Sequence, residues 1–460
     1  MRDLVILAVV YATLPVALVS PFAGLLVYSW LGYMRPQALA WGASRVLPLS
    51  AWVAIAMLAG IALALGRERL LTLRKPTALL ILLGLWISLT TWYAVSREDA
   101  QVVYGFYWKA ILISVLTTGL VRDRQRLRLL ILVIAMSIGI LGAKDGLYGL
   151  LRGGARFDQG PGGLMADNNT FALGLNMVVP LLVGIALAER GKLLRWLAAG
   201  MAFLCVVTIL FTFSRGGLLT LGAVGALLIW RSHRRLAATV VLLLGIVGFF
   251  LFSSPQLRQD YYARVQSIGA YEEDNSAQVR LMAWRDSLRV FREHPLLGVG
   301  PNNLETVFPT YSDGIHRFHV THNAYLELLA ECGWPSLVLF LLLLGVTLYR
   351  LERLRRFPSA PWVGIYAQMI QISIVAYMTG SLFLNMAYFD LIYHLVGISV
   401  SLELAAGAVA VATAPSRHAA RHAVAEPDPW WRRPQPYPGG GQLPAGGRTA
   451  ASAMARTRGL

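Results

Sequence analysis

The sequence predicts an all-α polytopic membrane protein with about 12 transmembrane helices, and three observations carry that prediction. Of the 460 residues, 56% are hydrophobic and only 14% charged, whereas a soluble chain carries about 25% charge. Apolar runs of about 17 to 25 residues, each able to cross a hydrocarbon core roughly 30 Å thick, recur along the chain. Between them fall basic clusters: RERLLTLRK (67–75), RDRQRLR (122–128), RGKLLR (190–195), RSHRR (231–235) and RLERLRRF (350–357). Positive charge retained on the cytoplasmic side gives this spacing. The net charge of +17 is therefore a topological signal, and no nucleic-acid partner is expected.

With the basic segments inside, spans are expected at 49–65, 77–95, 106–121, 127–150, 168–189, 193–213, 216–230, 236–253, 323–349, 362–385 and 388–411. The segment 4–34 precedes them and is interrupted by Pro15 and Pro21. It is too long for one simple helix and short for two, so it reads as a broken helix or a half-helix pair. Because it is one apolar run among many, it is read as an uncleaved span. Counted as one crossing, it gives twelve, with both termini cytoplasmic. The tail from Ala412 is rich in Pro, Gly and Arg and is expected to be disordered and cytoplasmic. Its Trp430–Trp431 pair and arginines suit anionic headgroups. The expected division is a bundle at 1–253, a large outer loop at 254–322, C-terminal helices at 323–411 and the tail at 412–460. Cys205 and Cys332 lie far apart in apolar segments, which fits small core residues and neither a disulfide framework nor a zinc site.

Two outer connections are long, 151–167 and 254–322. Within the second, NSAQVRLMAWRDSLRVFREHP (275–295) places Val279, Met282, Leu288, Val290 and Phe291 near helical spacing, with arginines at 280, 285, 289 and 292. Pro295 ends that helix and LLGVGPNN makes a turn. An amphipathic helix over the outer face of the bundle is expected, and a structural cap would account for most of its residues.

Positive charge is scarce outside, so each arginine there needs a reason. Arg215 lies in TFSRGG (212–217), where Ser214 and the glycine pair are expected to turn the backbone sharply. A headgroup anchor is the competing role for it. Arg280 opens the amphipathic helix and faces either the bundle or solvent. Arginine suits phosphate because its planar fork donates two hydrogen bonds and keeps its charge. The stretch FHVTHNAYLELLAECG then begins at the outer surface with His319 and His322. A histidine can take the proton of a hydroxyl nucleophile, and Asn323 beside it can orient a sugar. Glu327 and Glu331, four apart, share a helix face and either point into a polar cavity or pair with an arginine. Lys109, Lys144, Asp145, Asp167 and Asp390 also fall near outer span ends, and Lys144–Asp145 reads equally as an ion pair. Together these groups suit a lipid-linked phosphate donor reached from the bilayer.

FTFSRGGLL (211–219), VRLMAWRDSLRVFREHPLLGVGPNN (279–303) and THNAYLELLAECGWPSLVLFL (321–341) resemble the successive signature segments of the O-antigen ligase family. MADNNTFALGL (165–175) resembles the Asp/Asn segment that precedes them in that family, and YSWLGYMRPQALAWG (28–42) resembles a subgroup of O-glycosylation ligases found with exosortase-type systems. The resemblance implies a GT-C-type glycosyltransferase in the bacterial inner membrane, its site facing the periplasm. It implies transfer of an oligo- or polysaccharide from undecaprenyl diphosphate to a hydroxyl of lipid A–core or of a protein, with inversion. By matched motif, His322 would activate the acceptor and Arg215 and Arg280 would hold the diphosphate; Asn323, Glu327, Asn303, Asp167 and Asn169 are candidate supporting residues. No metal or other cofactor is implied. A polymerase acting on a second lipid-linked glycan is the nearest alternative. A lipid-linked sugar flippase would show two-fold internal repetition, and none is evident in the sequence.

Overall fold

A computed structural model describes residues 2–64, 70–154, 156–232, 275–312 and 320–413, with isolated positions between 235 and 262. Most of the expected span 236–253, His319 and the tail from 414 onward, and with them parts of the expected fourfold division, fall outside the described residues.

The N-terminal apolar segment forms two helices, α1 (Arg2–Val19) and α2 (Pro21–Tyr33). The break falls at Ser20, because the residue ahead of a proline is driven out of the helical region. Pro21 itself opens α2, where its missing N–H costs nothing. Then come α3 (Leu49–Leu63), α4 (Lys75–Trp92), α5 (Arg97–Leu120) and α6 (Arg124–Leu151). The series continues with α7 (Asn168–Ala188), α8 (Lys192–Phe211) and α9 (Arg215–Arg231). After the outer helices α10 (Asn275–Glu293) and α11 (Leu304–Tyr311) the chain ends its described part in α12 (Ala324–Arg356), α13 (Pro361–Gly380) and α14 (Asp390–Thr413). Among the described residues nine helices are long and apolar enough to cross a membrane: α1, α4 to α8 and α12 to α14. The chain is thus an all-α polytopic membrane protein. One small departure from all-α is the antiparallel hairpin of β1 (Gln159–Gly162) and β2 (Met165–Asp167). Its sequence, QGPGGLMAD, has no helical periodicity, and Gly162 and Gly163 carry the positive φ values that its turn needs.

α7 is the central helix. It packs against α6, α8, α9 and α13 and is buried along most of its length. The basic segments gather at one end of the bundle. There Arg128 of α6 pairs with Glu189 after α7, and Arg124 covers the Trp362 ring of α13 at 5.2 Å. Arg231 of α9 lies 3.8 Å from Glu352 of α12, and Arg350 pairs with Glu403 of α14. Arginine stems can lie along apolar surface while their charged heads meet a carboxylate or headgroup water.

Helix α12, expected to run straight, is broken at Gly333 (φ 75°, ψ 173°). The loop after α10 fits into the break: Val299 and Gly300 N–H groups donate to the Ala330 and Glu331 carbonyls, and Trp334 N–H donates to Pro295 O. Backbone groups freed by a broken membrane helix must find partners inside the protein, and here the outer loop supplies them. A Cβ on Gly333 would stand 2.0 Å from the Leu296 carbonyl oxygen. Gly333→Ala adds that collision to a left-handed backbone conformation. It is expected to cost about 2 kcal/mol or more and to lower the thermal unfolding midpoint of the purified protein; an unchanged midpoint would refute the pairing of loop and kink.

Candidate functional site

The end of the bundle opposite the basic segments is built by helix starts and by the loops that feed them. Four helices begin there with side-chain caps on their orphan N–H groups. Ser96 caps α5, Asp167 caps α7, Ser214 caps α9 and Asn323 caps α12. Much of the polarity in the signature segments is therefore spent on starting helices. Asp167 accepts from Asn169 N and Thr170 N at 2.8 and 3.2 Å, and from Thr170 Oγ1 at 2.7 Å. Asn323 Oδ1 accepts from Tyr325 N and Leu326 N at 3.0 and 3.1 Å. Asn303 is fully buried and clasps the α5 start: its Oδ1 accepts from Ser96 N, and its Nδ2 donates to Ser96 O at 3.1 Å. Asn169 donates to Asn168 Oδ1 at 3.1 Å, and Asn168 Nδ2 reaches across to Thr212 O at 2.8 Å. Asn168, not singled out in the sequence, thus ties the α7 start to the turn before Arg215.

That turn is made differently from the expectation. Phe213 takes the left-handed conformation (φ 53°), Arg215 opens α9, and Gly216 and Gly217 lie inside the helix. The two glycines serve close packing: a Cβ on Gly216 would lie 3.3 Å from Phe383 Cβ, and one on Gly217 only 2.8 Å from Ala172 Cβ.

α10 lies against the approach to α12. Trp284 Nε1 donates to Thr321 O at 2.9 Å, next in sequence to His322. Arg280, half-buried, lies one helical turn before Trp284, about 6 Å along the axis. The inward face of α10 differs from the apolar stripe read in the sequence. Ala283, Asp286, Ser287 and Val290 are buried, while Leu288 is exposed. Spacing i, i+3, i+4, i+7 survives, but polar residues occupy half of it. Asp286 is tolerated because Ser312 Oγ donates to it at 2.9 Å and Arg289 and Arg285 lie within 3.7 Å. Val290 joins Val299, Leu304, Phe308 and Ala330 in a separate small core that holds α10 and α11 over the α12 kink. Tyr311 donates to Glu293 at 2.7 Å; burial first and then that bond push the phenol up to about 12, so it stays a neutral donor.

His322 is half-buried with φ 49°. Arg35, Phe213, Asn302 and His322 are the non-glycine residues with positive φ among those described, and the last three fall in the signature segments. Ala324 N–H, two residues after His322, donates to Ser381 O at 2.9 Å. Ser381 in turn lies two residues from Phe383, which covers Gly216. The Arg280 and His322 segments therefore meet at one end of the bundle, and the Arg215 turn is joined to them through Ser381–Phe383. Glu327 and Glu331 are buried, and among the described residues neither forms an ion pair with an arginine. Glu327 accepts from Ala387 N at 3.0 Å and Glu331 from Tyr388 OH at 2.6 Å, so both clasp the α13–α14 link. Lys144 and Asp145 form an ion pair at 2.9 Å. Both cysteines are buried and unbridged. Among the described residues no three His, Cys, Asp or Glu side chains gather as metal ligands.

Two family models match the chain. Residues 1–179 match one described as "Family of unknown function (DUF5935)", and residues 200–341 match one described as "O-Antigen ligase". No curated protein matches it. The second match takes in the Arg215 turn, α10, His322 and the kinked half of α12, and by it residues 200–341 belong to the O-antigen ligase family.

Proposed function

We propose that the chain transfers a glycan from undecaprenyl diphosphate to an acceptor hydroxyl, with His322 as base and Arg215 and Arg280 on the diphosphate. The supporting observation is that the Arg280 and His322 segments meet at the bundle end opposite the basic clusters, with the Arg215 turn joined to them through Ser381–Phe383. In this reading α3, α9 and 236–253 complete twelve crossings in a GT-C-type arrangement. The basic end is then cytoplasmic and the His322 end faces the periplasm of a bacterial inner membrane.

The chemistry follows from charge. The acceptor oxygen attacks the anomeric carbon, its proton passes to the imidazole, and the bond from that carbon to the diphosphate oxygen breaks with inversion. Negative charge develops on the departing diphosphate, and cationic donors fixed where it appears stabilise the transition state. A single base is sufficient because the donor is already activated. The acceptor is a sugar of lipid A–core or, if the N-terminal resemblance to O-glycosylation ligases extends to function, a protein hydroxyl.

The purified full chain, given a lipid-diphosphate glycan with lipid A–core and protein acceptors in parallel, is expected to yield one product carrying a preassembled chain. A ladder of repeats built on the donor lipid would instead establish polymerisation. Absence of transfer to any acceptor, with the protein folded, would refute the reading.

A further inference from the structure

A cavity of about 500 Å³ lies among α2, the Pro36–Leu39 turn, α5, the β1–β2 hairpin and the start of α14. None of Arg215, Arg280 and His322 lines it. Its polar walls come from Arg35, Gln37, Lys109 and Asp390, and its apolar ones include Tyr28 and Phe106.

Both cations are placed at a cost. Among the described residues Arg35 is the non-glycine left-handed residue outside the signature segments (φ 50°), and such strain persists only where the surroundings enforce it. Its Nη1 is buried without a hydrogen-bond partner, as is Gln37 Oε1. The hairpin makes room for the guanidinium: a Cβ on Gly163 would stand 1.8 Å from Arg35 Nη1. Lys109 sits midway along the apolar helix α5 and is exposed, beside the exposed Phe106 and Trp108. Exposed surface on a membrane-spanning helix faces lipid, where an ammonium group is expensive unless it meets an anion. Its ammonium lies 5.8 Å from the centre of the Phe106 ring.

Among the described lining residues the charges do not balance. Arg35 and Lys109 face one carboxylate, Asp390, while His394 is held between two neutral hydroxyls, Tyr33 OH and Thr117 Oγ1, each at 3.0 Å. One positive charge remains, the complement of a phosphodiester monoanion. Arginine and lysine are the usual phosphate donors, and the exposed lining residues Gly32, Phe106 and Lys109 open the cavity towards the bilayer between α2 and α5.

We propose that this cavity binds the phosphate of a lipid entering sideways from the membrane, through Arg35 and Lys109. The site is separate from the transfer site and stands whether or not the transfer reading holds. Its natural occupant is either a resident phospholipid or a lipid-borne substrate, and the phosphate chemistry is common to both.

The test is native mass spectrometry of the detergent-purified full chain with added phosphatidylglycerol. Diacylglycerol of the same acyl chains serves as the phosphate-free arm and inorganic phosphate as the lipid-free arm. The wild type is expected to retain one phosphatidylglycerol and no diacylglycerol. Arg35→Gln and Lys109→Gln, on separate elements, are each expected to lower retention about tenfold or more, the loss of one charge-assisted bond. Lys109→Arg, Arg215→Ala and the surface control Lys192→Gln are expected to retain the lipid, and thermal unfolding confirms that each variant is folded. Unchanged retention in both glutamine variants, equal retention of diacylglycerol, or full displacement of the lipid by inorganic phosphate would overturn the proposal. If the Arg35-dependent signal is also displaced by the lipid-diphosphate donor, the occupant is a substrate. If only phospholipid competes, it is resident.

Discussion

Replacing His322 by asparagine is expected to lower glycan transfer by about 10²- to 10⁴-fold, the usual worth of a positioned general base, with normal membrane insertion. Asparagine is the informative substitution because His322 has φ 49°, and asparagine tolerates that left-handed region better than most residues. The variant removes the base while leaving the backbone at ease. Alanine removes both, so His322→Ala is expected to lose activity equally and to be somewhat less stable. Neighbours hold the backbone on either side of His322: Trp284 donates to the Thr321 carbonyl, and Asn323 commits its side chain to the first turn of α12. The measurement is initial transfer rate from a lipid-diphosphate glycan at matched protein levels. A His322→Asn protein with wild-type rate would remove the base assignment and leave the strained backbone as a purely architectural feature.

Arg280→Ala and Arg215→Ala are each expected to cost about 10²- to 10³-fold in rate if the guanidinium groups meet charge that develops on the leaving diphosphate. Lysine separates charge from geometry. It keeps the positive charge but cannot donate in a planar fork, so Arg280→Lys and Arg215→Lys are expected to recover only part of the loss. Position makes the two arginines different in stability. Arg215 opens α9 directly after its cap, and Arg280 lies on a helix where Arg285 and Arg289 lean on Asp286. If Arg280→Ala and Arg285→Ala reduced the rate alike, α10 would act as a diffuse basic surface and not through one residue.

How much of this was legible beforehand differs from residue to residue. Helix α7 could be read directly, because its apolar run is long and Asp167 marks its start. The α9 turn could not. TFSRGG contains two glycines, and the left-handed residue is nevertheless Phe213, because the glycines are consumed by the approach of Phe383 and Ala172. Asn303 and Glu327 were visible as polar residues near the motifs. That each clasps backbone of a distant segment, Ser96 in one case and Ala387 in the other, depends on partners 207 and 60 positions away. Asp286 was invisible for the same reason: its burial is tolerated only through Ser312, Arg285 and Arg289.

Sequence by itself determined that the chain lives in a membrane, which end of the bundle carries the basic residues, and to which family its 200–341 region belongs. Those properties are written in composition and local pattern, since a hydrocarbon core selects span length and charge placement one segment at a time. Tertiary structure alone decided that α12 breaks at Gly333 to receive the outer loop, that α10 turns Asp286 inward, and that Arg35 and Lys109 share a cavity with Asp390. Each of these depends on groups far apart in the chain meeting to satisfy a backbone or a charge, and no local pattern encodes such a meeting.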